Sequence, residues 1–374
     1  MKFLVTGGRS PYTLDLIRSL YRQGHEVISV EFFHGHLSYF SNAILKNYII
    51  TSPVKNFKKF EYELIEIIRS EKVDMVIPTC EEVFHLARIQ HKIKEHCKPF
   101  FEEISALEKF HHKNHFINGL KERSMVFPKT LSFDKYDGEL KGKDVILKKK
   151  FSRFGTEVIN THESKLESHK IENKSEWIIQ EFVEGKELSI FCILFEGQLQ
   201  VVSSYEKNYC FSGGPCIYFE NRNDELVFGW VNQYFKDSSH TGFFAFDLIL
   251  KDNLLYAIEC NPRCTSGVHL VTHLNEFSHL FINKRTDRVK VLEDKYMLEI
   301  PMILSVFSYI TSFSKWYNDF RSAKDVIRDR ADLLPFIFQA YTFIYFLFVS
   351  LVKQVSFEKA TTIDIEYSGE KTLP

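Results

Sequence analysis

The chain has 374 residues, a formal net charge of −1, and 44% hydrophobic and 26% charged residues. This length allows two or three domains with substantial cores, and the near-zero charge provides no global attraction to nucleic acid or to an anionic membrane. The seven cysteines show no paired metal-binding spacing, and the first residues read as a strand entering a turn rather than as a signal peptide. We therefore expect a cytoplasmic protein with reduced thiols and no nucleic-acid partner.

The first hundred residues alternate between strand and helix patterns, which favours a parallel sheet with helices on its faces. Strands are predicted at 2–6, 26–32 and 73–78, and helices at 11–23 and near 57–70.

The turn after the first strand does not form a dinucleotide-binding motif, because Gly7 and Gly8 do not complete the pattern G-x-G-x-x-G. Glu31, at the end of the second strand, could hold a ribose. Without the glycine spacing, however, we interpret this domain as a scaffold. The segment 79–82, Thr-Cys-Glu-Glu, directly follows the third strand, where α/β sheets present ligands. It is a candidate lining of a substrate site.

From about residue 109 the chain places basic side chains on a helix, a strand and a loop. A helix carries Lys113, and the strand 145–150 projects Lys148 to one face of a sheet, where it can act as a point charge on phosphates. Ser152, Arg153 and Gly155 then form a flexible loop, in which arginine offers a fork to phosphate oxygens. An ordinary solvated basic loop is the alternative interpretation.

The next strand, 177–183, ends at a glycine turn and can offer backbone groups to an adenine edge. These groups belong to the segment 180–183, Gln-Glu-Phe-Val, and Glu187 past the turn can accept hydrogen bonds from ribose hydroxyls. A β-turn with solvated acids is the alternative. A polar surface helix over 161–175 and two strands over 187–206 complete this region.

A hairpin follows that carries three oxygen ligands on one face. A loop at 252–254 would place Asp247 opposite Glu259, and Asn261 shares that face because strand side chains alternate. Such ligands suit Mg²⁺, with substrate phosphates and water completing its shell. Arg263 adds a planar cation suited to phosphate or carboxylate. The alternative is a hairpin with an ordinary surface acid.

Thiol and imidazole side chains near the hairpin are interpreted as packing residues. Cys260 points away from the carboxylates by alternation, and Cys264 follows it closely. His269 and His273 have helical spacing and are packing or substrate-side residues. The segment 211–215 contains Gly-Gly-Pro, which cannot continue a strand and predicts a mobile lid or binding loop.

Residues 334–352 are close to the ~20 apolar residues that a membrane span requires. Pro335, Gln339, Thr342 and Ser350 interrupt the run. We expect a helix that is buried or faces a partner, and we favour this over a membrane contact.

In this order, the motifs resemble the ATP-grasp superfamily, in its carbamoyl-phosphate-synthase-like and carboxylate–amine ligase branches. The resemblance covers residues 1–285, and Glu-x-Asn-Pro-Arg is its most specific element. The motifs that carry it are Lys113, Ile146-Leu147-Lys148, Phe151-Ser152-Arg153-Phe154-Gly155, Gln180 to Glu187, Asp247, and Glu259-Cys260-Asn261-Pro262-Arg263. One departure is Lys149, where these enzymes commonly have proline.

The resemblance implies an α/β N-terminal domain with a parallel sheet, followed by an α+β ATP-grasp fold with two lobes and a helical C-terminal extension. The implied boundaries are 1–108 for the first domain, 109–285 for the ATP-grasp domain with a mobile lid at about 125–180, and 286–374 for the part that completes the fold.

ATP is implied to lie between the two lobes, and each predicted site residue then has a role. Phosphate contacts are implied for Lys113, Lys148, Ser152 and Arg153. Adenine and ribose contacts are implied for Gln180, Glu181, Val183 and Glu187. One or two Mg²⁺ ions, with Mn²⁺ as an alternative, are implied at Asp247, Glu259 and Asn261. Catalytic roles are implied for Lys148 and Arg263.

Such enzymes phosphorylate a carboxylate to an acylphosphate, which an amine or less often another nucleophile attacks. The resemblance therefore implies a ligase that forms a carbon–nitrogen bond in small-molecule or peptide biosynthesis. The alternatives are other ATP-grasp chemistry (carboxyphosphate use, or phosphotransfer without ligation), a non-catalytic nucleotide sensor, and a membrane-associated protein. A homodimer is compatible with the sequence, which does not identify the carboxylate or the amine.

Overall fold

The computed structural model describes residues 1–151, 158–210, 214–222, 224–283 and 289–369. Its first part is a five-stranded parallel sheet in the order β3-β2-β1-β4-β5, as predicted from the β-α-β alternation. Its elements are β1 Lys2–Thr6, α1 Pro11–Arg22, β2 Glu26–Glu31, β3 Lys46–Ile49, α2 Phe57–Glu71, β4 Met75–Ile77, α3 Val83–Arg88, α4 Gln90–Lys94, β5 Lys98–Pro99 and α5 Ile104–His111. The edge strands β3 and β5 were not predicted, since they are short and partly polar.

The glycine turn after β1 has a structural role. Gly7 has a φ of +80°, and a Cβ added there would lie 2.4 Å from Thr79 Oγ1, so only glycine fits the turn. Glu31 is fully buried and its carboxylate lies 2.5 Å from the guanidinium of Arg9, which also binds Asp364 at 2.6 Å. This acid therefore ties the N-terminal sheet to the C-terminal end of the chain, in agreement with the scaffold interpretation.

The second sheet is antiparallel, with the order β6-β9-β7-β8. This region contains α6 Lys113–Glu122, β6 Thr130–Ser132, β7 Asp144–Lys149, β8 Val158–His162 and β9 Trp177–Glu181. The predicted surface helix over 161–175 is wrong, because two short 3₁₀ turns, Glu163–Ser168 and Lys174–Glu176, follow β8. Leu166 and Ile171, which pack against this sheet, are five residues apart and do not share one helix face.

The third sheet is also antiparallel and is shared by two cores. Its order is β11-β10-β13-β14. Phe244 and Phe246 pack against α6 and α7, whereas Phe191 and Phe243 join the core that contains α1. A small sheet, β12-β15-β16, adjoins it. The remaining elements are β10 Lys186–Phe195, β11 Gln198–Glu206, β12 Tyr218–Glu220, α7 Glu225–Tyr234, β13 Gly242–Lys251, β14 Leu254–Asn261, α8 His279–Ile282, β15 Lys295–Met297, α9 Glu299–Leu304, α10 Phe313–Ser322, β16 Lys324–Asp325, α11 Leu334–Lys353 and α12 Phe357–Ala360.

The β13–β14 hairpin has the predicted pairing but not the predicted loop. Asp252 and Asn253 both have positive φ, 50° and 59°, as a two-residue hairpin turn requires. The predicted three-residue loop is therefore wrong. A register shift beside Asp247 nevertheless places that residue opposite Glu259, because a bulge adds the residue that the shorter loop lacks.

The helix α11 is largely exposed, so of the two predicted alternatives a buried helix is wrong, whereas a helix that faces a partner stays a prediction. Only Pro335, Thr342 and Phe346 are buried in it, and Leu351 is 70% and Phe348 63% exposed. By length and composition alone α11 could cross a membrane, with 20 residues, a mean hydropathy of 1.8 and 17% of its most apolar stretch buried. It contacts the N-terminal domain, where Phe338 stacks on Phe40, and it contacts α12, where Phe343 packs against Phe357.

Candidate active site

Two carboxylates face each other across the β13–β14 hairpin. Asp247 and Glu259 are cross-strand partners, and their side chains are 27% and 26% exposed. Ser189, the partner of Asp247 on β10, donates a hydrogen bond of 2.8 Å to Asp247 Oδ1. Asn261 follows on β14 opposite Ala245. Like charges directly opposite each other destabilise a hairpin unless cations offset them.

Those cations are three lysines from three different elements. Lys113, the first residue of α6, places Nζ 3.3 Å from Glu259 Oε2, and Lys207, just after β11, places Nζ 3.3 Å from Asp247 Oδ1. Lys148 on β7 is 3% exposed, and its ammonium is coupled electrostatically to both carboxylates. These five side chains (Lys113, Lys148, Lys207, Asp247 and Glu259) are called the charged cleft below.

The charges of the cleft shift one another's pKa values. Burial opposes ionisation of Glu259, but Lys113 and the other two lysines outweigh it and hold the pKa of this carboxyl well below its usual range. Asp247 raises the pKa of Lys207. Burial lowers the pKa of Lys148 to about 8, against the attraction of Glu259. Within the described residues Lys148 Nζ has no hydrogen bond or ion pair, so it is available to an anion.

Lys207 is the cleft residue that the sequence analysis missed. Its ammonium also lies 3.4 Å from Glu187 Oε2, so one lysine joins a predicted metal ligand to a predicted ribose ligand. A lysine immediately after an alternating strand was its only sequence signal. The contacts depend on the pairing of β10 with β11 and β13, which no local pattern reveals.

The strand predicted to hold adenine runs alongside Lys148. The Gln180 side chain is fully buried and donates a 2.7 Å hydrogen bond to Thr130 Oγ1, so it supports the sheet. Glu181 accepts a hydrogen bond from Lys143 through its carboxylate and donates one to Lys129 O through its backbone N–H. In the part of the chain that the structure describes, the Val183 N–H has no partner. Of the predicted phosphate loop, Ser152 and Arg153 lie outside the described residues.

Arg263 forms a second cluster at the junction with the N-terminal domain. Its Nε donates a 2.8 Å hydrogen bond to Glu81 Oε1, and both side chains are largely buried. Burial opposes the charge of Arg263, but Glu81, followed by Tyr12 and Cys80, raises the pKa of the guanidinium. The predicted segment 79–82 thus lies beside Arg263 through Glu81, whereas Glu82 accepts a hydrogen bond from Thr6 Oγ1.

The neighbouring thiols and imidazoles lie in packed surroundings. Cys260 is 2% exposed and Cys264 is fully buried. His269 is buried and its Nδ1 lies 2.9 Å from Asp15 Oδ2, and the ring of His273 stacks on Tyr296. These contacts agree with the packing interpretation.

The donor set of the cleft suits a cation that arrives with an anion. Among the described residues, no group of three or more His, Cys, Asp or Glu side chains is placed to hold a metal ion. Two carboxylates with the Asn261 amide are too few ligands for an all-protein site. They match Mg²⁺, which keeps water and phosphate oxygens in its shell, and the lysines supply charge for those phosphates.

Comparison with known proteins identifies the central region. A family model described as an ATP-grasp domain matches residues 110–267, and no curated protein sequence matches significantly. N5-carboxyaminoimidazole synthetase from Staphylococcus aureus is similar in structure, with a TM-score of 0.63 and 15% identity over 83% of this chain and 86% of that chain.

Two other solved structures share the architecture. L-amino acid ligase from Bacillus licheniformis has a TM-score of 0.56 and 16% identity over 73% of this chain and 68% of that chain. Biotin carboxylase from Campylobacter jejuni has a TM-score of 0.59 and 13% identity over 75% of this chain and 69% of that chain. At such low identities these likenesses concern the fold.

Proposed function

Because the chain carries an ATP-grasp domain and is a member of the ATP-grasp superfamily, we propose that it is an ATP- and Mg²⁺-dependent ligase that joins a carboxylate to an amine. The observation that carries this proposal is the charged cleft, where two carboxylates meet three lysines from separate elements. A polyphosphate with its metal ion supplies the charges that such an arrangement attracts.

The phosphates of ATP would contact Lys113 and Lys148. The first residue of α6 is held against the end of β7 by a 3.3 Å hydrogen bond from Lys113 N–H to Lys150 O, which brings the two ammonium groups to one place. The backbone N–H of Val183, which has no partner among the described residues, would bind the adenine edge. Glu187, exposed at the start of β10, would accept hydrogen bonds from ribose hydroxyls.

Asp247, Glu259 and Asn261 would hold the metal. When bound, Mg²⁺ neutralises negative charge that develops on a transferring phosphoryl group. The protein's own contribution is to hold these oxygens opposite each other and to fix the surrounding lysines by ion pairs. Preorganised charges of this kind require no reorganisation at the moment of reaction.

The proposed reaction has two steps. A substrate carboxylate oxygen attacks the terminal phosphorus of ATP, which forms an acylphosphate and releases ADP. An amine then attacks the carbonyl carbon, loses a proton and expels phosphate, which leaves an amide. Arg263 would bind the carboxylate or its acylphosphate in place of Glu81, and Lys148 would stabilise the transferring phosphoryl group. No covalent protein nucleophile takes part.

The structural neighbours support nucleotide-dependent chemistry. The S. aureus synthetase has been solved with ADP and the C. jejuni biotin carboxylase with a form of ATP, and a third neighbour is named as an L-amino acid ligase. All seven cysteines are free, so a cytoplasmic location, where thiols stay reduced, remains our expectation.

A second candidate is an enzyme that activates bicarbonate rather than an organic acid. It is supported by a solved structure of similar fold, the biotin carboxylase domain of Hydrogenobacter thermophilus 2-oxoglutarate carboxylase, which was solved with MgADP and bicarbonate and has a TM-score of 0.61 and 13% identity. Dependence of ADP release on added bicarbonate separates the two candidates.

The proposal is tested by an ATP-consumption screen of carboxylic acids crossed with amines. We expect one pair to release ADP and phosphate together with a joined product visible by mass spectrometry. ADP release that needs bicarbonate supports the second candidate. If ATP with Mg²⁺ neither binds nor is consumed under any condition, the ligase proposal is wrong.

A further inference from the structure

Cys210 and Cys216 form a close pair of thiols beside the charged cleft. Their sulfur atoms are 3.6 Å apart, and the two residues face each other across an isolated antiparallel bridge. Among the seven cysteines, all of which lie in the described residues, these are the two whose thiols are within hydrogen-bonding distance of each other. The pair differs in this respect from Cys97, which has no thiol neighbour.

The backbone at this bridge already has the spacing that a disulfide needs. Ile217 N–H donates to Tyr209 O at 3.0 Å, so Cys210 and Cys216 are the adjacent non-hydrogen-bonded pair of the ladder. Such pairs have Cα atoms about 4.5 Å apart, within the ~4.4–6.8 Å that disulfides span. Side-chain rotation therefore suffices to bring the sulfurs into bonding distance.

The two thiols differ in reactivity. The hydrogen bond from the Cys216 thiol stabilises the Cys210 thiolate and lowers its pKa, with a further contribution from Lys207, although burial opposes both. The same hydrogen bond and burial raise the pKa of Cys216. Cys210 is half-buried, whereas Cys216 is 8% exposed. A partly accessible thiolate with a second thiol behind it has the arrangement of an attacking and a resolving cysteine.

We propose that Cys210 and Cys216 are a redox-sensitive pair that a low-molecular-weight disulfide, such as glutathione disulfide, converts reversibly into an intramolecular disulfide. The Cys210 thiolate attacks one sulfur of the small disulfide, forms a mixed disulfide and releases one thiolate. That thiolate takes up the proton of Cys216. The Cys216 sulfur then attacks the Cys210 sulfur and expels the second thiolate, which takes a proton from solvent.

These reaction steps balance in electrons, and the disulfide that they form lies near the charged cleft. The two cysteines lose two electrons, and the small disulfide is reduced to two thiols. The closing step is intramolecular between groups held side by side, so it competes well with reversal. Cys210 lies three residues after Lys207, which pairs with Asp247. The disulfide between Cys210 and Cys216 would therefore form next to the charged cleft.

The test uses the full chain in glutathione buffers with a rising ratio of oxidised to reduced glutathione. After alkylation, free thiols are counted and disulfides mapped by mass spectrometry. We expect the wild type to change from seven free thiols to five, with one bond between Cys210 and Cys216. Excess dithiothreitol should restore all seven.

Two variants make the result specific. Cys216→Ser should stop at one glutathione adduct on Cys210, because the resolving thiol is missing. Cys97→Ser, the matched control, should lose two thiols as the wild type does. The far-UV circular dichroism and unfolding temperature of each variant are measured first, and Cys216→Ala replaces Cys216→Ser if the latter is unfolded.

Retention of seven thiols at every ratio overturns the proposal, as does a bond between other cysteines or an intramolecular bond in Cys216→Ser. These readouts are masses and need no nucleotide. A protein that forms the bond but does not bind ATP would contradict the ligase proposal and leave this one intact.

Discussion

The charged cleft buries charged side chains, whereas the outer face of α11 exposes apolar side chains. Both arrangements are the reverse of what soluble proteins usually show. In the cleft, Lys148 is 3% exposed and has no ion pair within the described residues, although lysine is rarely buried without a partner. On α11, Ile344 and Phe348 are 61% and 63% exposed, and these side chains form part of a continuous apolar surface. Each departure is unfavourable in the isolated protein and is offset when something binds, an anion in the first case and an apolar partner in the second.

The two regions also differ in how their polar groups are satisfied. In the cleft, carboxylates and ammonium groups pair with each other across separate elements. On α11, Gln339, Thr342 and Ser350 each donate to a backbone carbonyl. These three polar side chains therefore need no partner outside the chain. A homodimer through the outer face of α11 stays a prediction, which sedimentation velocity tests.

The largest effect is expected from Glu259→Gln in the cleft. The substitution keeps the volume but removes a charge that would recruit Mg²⁺, and a loss of ~4 kcal/mol of transition-state stabilisation slows a reaction roughly a thousandfold. ADP release with a substrate pair from the screen measures it. Glu167→Gln, at an exposed position, is the control. Turnover of Glu259→Gln within a few-fold of wild type would show that the carboxylate pair is not a metal site.

On α11 the matched substitutions Phe346→Ala and Phe348→Ala compare its two faces. Phe346 is 5% exposed and packs against Phe33 with ring centroids 5.2 Å apart, so its truncation should lower the free energy of unfolding by about 3 kcal/mol. Phe348→Ala should change it by less than ~0.5 kcal/mol. Urea denaturation measures both. Equal destabilisation would mean that the outer face is covered by a partner in solution.

A third substitution, Lys148→Ala, tests whether the cleft binds nucleotide phosphates. At a hundredfold excess over its dissociation constant, ATP with Mg²⁺ should stabilise the wild type by ~2.7 kcal/mol, and the variant should lose most of this gain. Thermal unfolding with and without nucleotide measures the difference. Lys149→Ala is the neighbouring control, since Lys149 Nζ lies over the Trp177 ring. Equal ATP-induced shifts in the two variants would contradict the assignment.

How far the sequence predicted these regions depends on the range of the interactions involved. The cross-strand pairing of Asp247 with Glu259 follows from local alternation. The loop is one residue shorter than predicted, but a β-bulge beside Asp247 adds one residue and keeps this pairing. The role of Lys207 depends on strands that meet only in the tertiary structure. For α11, hydropathy predicted a helix but not exposure, because burial depends on whether a neighbouring element covers each face.

The smallest expected effect is the pH dependence that Lys148 gives to stability and to ATP affinity. Burial lowers the pKa of Lys148 from 10.5 to about 8. Between these values the unfolded chain binds more protons than the folded one at this site, so the contribution of Lys148 to stability rises with pH, by up to about 1.4 kcal/mol per unit.

ATP affinity should change in the opposite direction, because only the charged lysine attracts phosphate. Above pH ~8 we expect the dissociation constant to increase by up to about tenfold per unit. Isothermal titration calorimetry over this range, with Lys148→Met as the reference, isolates this residue from titration of the nucleotide and of other groups. An identical pH dependence in wild type and Lys148→Met would mean that another group sets the affinity, and Lys207, whose pKa is raised rather than lowered, would not account for it.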